Sequence, residues 1–95
     1  MNTVLTKTQL KKLGTSTDEI LNLLKSNAFV QMQKYKAKIM PFEKKYGMPF
    51  SQFKQKLEVA QEENFQEADD FILWEGFYEA YELWYKKYIA LQQYA

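Results

Sequence analysis

Residues 64–93 read NFQEADDFILWEGFYEAYELWYKKYIALQQ, and this stretch decides the fold. Asn64-x-x-Glu67 is a capping-box pattern, and Glu67, Asp69 and Asp70 load the first turn behind it with the negative charge that a helix N-terminus favours. From there Phe71, Trp74, Tyr78, Tyr81, Tyr85 and Tyr88 recur at intervals of three and four, while Leu73, Phe77, Ala80, Trp84 and Leu91 form a second series beside them. The spacing predicts one helix from about Phe65 to about Gln93. A helix apolar over so much of its circumference needs more than one neighbour. Its polar strip is narrow: Glu75, Glu79, Glu82 and Lys86, with Glu82 and Lys86 placed to pair across one turn.

Upstream, Ser16-x-x-Glu19 is a second capping box, and Asp18 and Glu19 fall in the turn it opens. Leu21, Leu24, Ala28, Met32, Tyr35, Ile39, Phe42 and Tyr46 then make one continuous helical stripe, closed by Gly47 as a left-handed C-cap residue. Pro41 conflicts with this reading, because it lacks a backbone donor and clashes with the preceding turn; a kink near residues 37–41, or two helices meeting there, is expected. Pro49 starts a short helix marked by Phe50, Phe53, Leu57 and Ala60. Residues 1–15 carry a fainter pattern, Thr6-x-x-Gln9 with Leu10, Leu13 and Gly14, that reads as an N-terminal arm or a short helix.

The fold class that follows is all-α: two long antiparallel helices of roughly 42–45 Å each, joined by a short helix at the bend, with residues 16–95 as a single helical domain. At 95 residues the chain is one small domain, and folding at this size buries only about 60–65% of the surface of the unfolded chain. The bundle is therefore expected to be completed by dimerisation or by a partner.

Composition narrows the function. The chain has no Cys and no His, which removes thiol nucleophiles, disulfide scaffolds, zinc-finger ligand sets and Ser-His-Asp triads. The acidic cluster Glu62, Glu63, Glu67, Asp69 and Asp70 reads as complementing a helix N-terminus and facing solvent, not as a metal or acid–base site. Neither an enzyme nor a cofactor is expected. The absence of a long apolar run, with no signal-peptide core at Met1-Asn2-Thr3-Val4, argues against a membrane span and points to the cytoplasm.

The net charge of +1 conceals an asymmetry. Residues 1–56 hold eleven lysines against Asp18, Glu19 and Glu43, a balance of +8; residues 57–95 hold Lys86 and Lys87 against nine acids, a balance of −7. Every basic residue is Lys, so the bidentate Arg reader of phosphate and guanine is missing, and the basic half favours a solvated face or an acidic partner over nucleic acid.

Residues 65–94 hold ten of the sixteen aromatic side chains. Tyrosine and tryptophan combine a large contact area with a polar edge, which suits them to binding hot spots. Trp74, Phe77, Tyr78, Tyr81, Trp84, Tyr85 and Tyr88 are accordingly the candidate protein-interface residues, with an internal core, a homo-oligomer interface and a foreign partner all open as readings of the face they form.

The run Lys45-Tyr46-Gly47-Met48, then Phe50 and Phe53, Glu63-Asn64-Phe65, Asp69-Asp70 and Trp74-Glu75-Gly76-Phe77-Tyr78-Glu79-Ala80 resembles small helical proteins of prokaryotes regarded as antitoxins of toxin-antitoxin modules. The likeness covers about residues 43–90. It implies a cytoplasmic, non-enzymatic protein that binds and neutralises a toxin encoded next to it. Residues 5–24 do not match a ribbon-helix-helix pattern, so the resemblance carries no implication of operator binding.

Overall fold

The computed structural model describes residues 16–94 of the chain; the expected arm at residues 1–15 lies outside them. The described residues form three α-helices, α1 (Thr17–Tyr46), α2 (Phe50–Val59) and α3 (Phe65–Gln92), and no strand.

Each long helix starts where its cap was legible. Ser16 takes extended backbone angles and its hydroxyl accepts from the Glu19 N–H at 3.0 Å; Asn64 does the same for the Glu67 N–H at 3.1 Å. Both bonds satisfy a donor that the first turn leaves unpaired. Gly47 ends α1 at φ 64°, ψ 29°, with its N–H donating to the Glu43 carbonyl at 2.8 Å. That left-handed conformation is nearly free for glycine and strained for other residues.

Pro41 does not divide α1, which runs unbroken through it. The expectation of two helices meeting there is therefore corrected. Proline deprives the Ala37 carbonyl of its donor, but both residues are exposed, so solvent can satisfy that oxygen. The end of α3 also moves by one residue, since Gln93 is the C-cap rather than the last helical position.

α1 packs along α3, and α2 against the first part of α3. Lys25 donates to the Tyr94 carbonyl, Phe29 meets Tyr88, Phe42 meets Trp74 and Phe77, and Tyr46 reaches Asp70. Residues late in α1 thus lie beside residues early in α3.

The core sits where all three helices converge. Ile39, Phe50, Phe53 and Trp74 are buried together, and Phe42, Tyr46, Met48, Leu57, Phe71, Phe77 and Tyr81 pack around them. Trp74 is fully enclosed: Phe42 stacks on it at 5.6 Å between centroids, Phe53 at 5.0 Å, and Phe50 meets it edge-on at 5.5 Å. Away from this end, Ala28 and Met32 are the remaining buried apolar residues among those described.

Replacing Asn64 by Ala is expected to destabilise the fold by about 1 kcal/mol, and Asn64→Gly by only a few tenths. Urea titration checks it: the midpoint should fall with the slope unchanged.

Candidate protein-binding surface

The surface takes its shape from the inequality between α2 and the two long helices. α2 has ten residues against thirty in α1 and twenty-eight in α3, and so covers only the elbow end of the pair. There Phe50 stacks on Phe71 at 5.5 Å and on Tyr78 at 5.0 Å, while Phe53 lies against Tyr46 at 4.3 Å. Beyond Tyr78 no third helix among the described residues continues this cover. Leu23, Leu24, Phe29 and Val30 on α1, and Leu83, Tyr85 and Ile89 on α3, are exposed.

The elbow is fastened by one buried carboxylate. Asp70 accepts at Oδ2 from Lys45 Nζ at 2.6 Å and from the Tyr46 hydroxyl at 2.5 Å, and at Oδ1 from Gln66 Nε2 at 3.3 Å. The Lys45 ammonium, then the Tyr46 hydroxyl, holds the Asp70 carboxyl below the usual carboxylate range, against the opposing effect of burial. Burial, reinforced by that same carboxylate, pushes the Tyr46 phenol well above the ordinary tyrosine value. Asp70 was expected to face solvent with the rest of its cluster; it is buried instead, and that reading is corrected. The signal was present: Asp70 lies four residues before Trp74 and so shares its inward face. A second ion pair, Lys56 to Glu67 at 2.9 Å, ties α2 to the start of α3. The expected Glu82–Lys86 pair is not formed within 4.0 Å; Glu82 instead helps hold the Tyr78 phenol above its ordinary value.

The seven candidate interface residues separate by depth. Trp74 belongs to the core, and its indole N–H finds no acceptor among the described residues. Phe77 and Tyr81 pack against that core, with Lys38 lying over the Phe77 ring at 5.4 Å. Tyr78 and Tyr85 are exposed, and Trp84 and Tyr88 half-buried. Tyr85 stacks on Tyr81 at 6.4 Å, Lys87 covers Trp84 at 4.4 Å, and Tyr88 tilts onto Phe29 at 6.0 Å. Tyr78 is exposed but already stacked on Phe50, so Tyr85, with the half-buried Trp84 and Tyr88, supplies the ring area open to a partner beyond the reach of α2.

Comparison with protein-family models, curated proteins and solved structures finds no match. No helix of the described residues is long and apolar enough to cross a membrane, and no group of three or more acidic side chains among them could hold a metal ion.

The elbow charges set the pH dependence of stability. Asp70 has a folded pKa below its unfolded value, so the stability it carries is present above about pH 4 and lost as pH falls through the folded pKa. Tyr46 is raised, so its share is present below about pH 10 and lost as pH rises toward the folded pKa. Asp70→Asn should cost about 1–3 kcal/mol at neutral pH and flatten the acid side of the curve. Urea midpoints between pH 2.5 and 7 (roughly the span in which carboxylates titrate) read both effects.

Proposed function

We propose that the chain is a non-enzymatic protein-binding module of antitoxin-like kind: an antiparallel pair of long helices that offers the uncovered half of its surface to a protein partner in the cytoplasm. The observation that carries this reading is the imbalance between cover and apolar surface. Among the described residues six hydrophobic side chains are buried, while fourteen large ones are exposed. Scattered exposed apolar residues are ordinary on a soluble domain, but here Leu23, Leu24, Phe29 and Val30 share the open end with Leu83, Tyr85 and Ile89. Exposed apolar side chains gathered on both outer sides of one end support an interaction surface there.

The partner suggested by the antitoxin-like resemblance is a toxin encoded next to the chain. Binding would supply the cover that α2 is too short to give, and would stabilise the folded hairpin by mass action. A second reading, self-association into a homodimer or larger assembly, is favoured by the opposite charges of the two long helices. α1 holds six lysines and three acids, a balance of +3; α3 holds two lysines and six acids, a balance of −4.

Co-expression of the chain with the product of the adjacent reading frame, followed by affinity purification and light scattering, tests the first reading. A stoichiometric complex, with the neighbour toxic when alone, is the expected result. A homo-oligomer that leaves the neighbour behind would sink it. Within such a complex Trp84→Ala and Tyr85→Ala should each weaken binding by about 1–2 kcal/mol with the fold intact. Tyr81→Ala should lower stability as well, because its ring packs against the core.

A further inference from the structure

α1 and α3 each carry an apolar seam on the side turned away from the other helix. On α1 the seam is Leu23, Val30 and Ala37, at intervals of seven; on α3 it is Phe65 and Ile72, continued by Gly76, Leu83 and Ala90 at the same interval. Residues seven apart on a helix return to within about 20° of one direction. Val30 stands two residues from the buried Met32, and Ile72 two from the buried Trp74, so each seam points about 200° away from its helix's inward side. Leu23, Val30, Phe65, Ile72 and Leu83 are all more than half exposed. An apolar seam that keeps to one side of a helix at intervals of seven, shifted once by four on α3, is a pattern by which one helix packs against another.

The charges beside the seams fix what covers them. Exposed Lys34 and Lys44 flank the later half of the α1 seam, and exposed Glu19 lies at its start. On α3 the order is reversed, with exposed Asp69 and Glu79 in the earlier half and Lys86 and Lys87 in the later half. With Val30 set level with the gap between Gly76 and Leu83, and the helices antiparallel, Ala37 falls beside Ile72 and Leu23 between Leu83 and Ala90. Lys44 then lies within a turn of Asp69, Lys34 within a turn of Glu79, and Glu19 within a turn of Lys87. A parallel setting at the same level brings Lys34 toward Lys86 and Glu19 toward Asp69, like against like.

We infer that the outer seam of α1 on one copy docks antiparallel on the outer seam of α3 on a second copy of this chain. The inference rests on the self-association reading, not on the binding of a foreign partner. The two seams lie on opposite sides of the hairpin, so two copies cannot satisfy both at once. Such a contact is head-to-tail, and it builds a ring of three or more copies or an open chain.

Sedimentation of the intact chain over a wide concentration range tests this. The expected mass climbs past twice 11.4 kDa and falls back as salt is raised, because the flanking pairs are exposed. Val30→Glu blocks the α1 seam and Leu83→Glu the α3 seam; both positions are exposed, and circular dichroism confirms that helix content is kept. Each variant alone should be a monomer. Mixed, they should form a 1:1 heterodimer that grows no further, since Val30→Glu leaves the α3 seam intact and Leu83→Glu the α1 seam. A wild-type chain that stops at a dimer, or a mixture that stays monomeric, overturns the head-to-tail contact and leaves self-association standing. A wild-type monomer at every concentration overturns both.

Discussion

Everything in this fold hangs on the complete burial of Trp74. A pair of helices has no enclosed interior, and an indole can be shut away from water only where a third wall exists. α2 supplies that wall with two phenylalanines, Phe50 and Phe53, and α1 closes the remaining sides with Phe42 and Tyr46. Asp70, one turn before Trp74, then converts the elbow from an apolar cluster into a fixed geometry. A buried carboxylate is costly unless it is paired and hydrogen-bonded, so Lys45 and Tyr46 must sit where the structure places them. Because those two residues are the last of α1, the same contact fixes where that helix ends relative to α3.

Much of this was written in local signals. The caps at Ser16 and Asn64, the stop at Gly47 and the stripe from Leu21 to Tyr46 depend on short-range geometry, and they put the helix boundaries within a residue of their observed places. What the sequence left unread depends on tertiary placement. The acids after Asn64 had a sufficient local explanation in the helix dipole, which hid the fact that Asp70, one turn before Trp74, is carried to the buried side of α3. Pro41 was read by the rule for helix interiors, yet an exposed carbonyl one turn back removes much of the penalty. The tyrosines of α3 were ambiguous for a different reason. Periodicity says that Tyr78, Tyr81, Tyr85 and Tyr88 share a side, but how deeply each lies depends on the length of α2, and that length is set elsewhere in the chain.

The two ends of the hairpin consequently differ in how they are held. At the elbow, stacked rings, a buried carboxylate and two ion pairs act together. At the open end Ala28 and Met32 are buried, Phe29 and Tyr88 touch, and a single lysine reaches the Tyr94 carbonyl. Local opening is governed by how much apolar contact an opening must break, so fraying costs less at the open end than at the elbow. That is where a binding surface gains most from a partner, because ordering contributed by the partner adds to contacts the isolated hairpin lacks.

The charge asymmetry takes on a second meaning against this geometry. Within one hairpin α1 and α3 share one ion pair, Lys45 to Asp70, although their summed charges are opposite. Most of the remaining lysines and acids are exposed and make no ion pair within a single copy, although Lys34, Lys38 and Lys87 lie over aromatic rings. Exposed pairs add little stability, but complementary faces steer association and select orientation. The opposite signs of the two helices thus matter less for holding one hairpin together than for deciding what can approach its outer sides. An approaching helix with the charge order of α1 meets attraction along α3 in one direction and repulsion in the other, and a second copy of the chain carries that order.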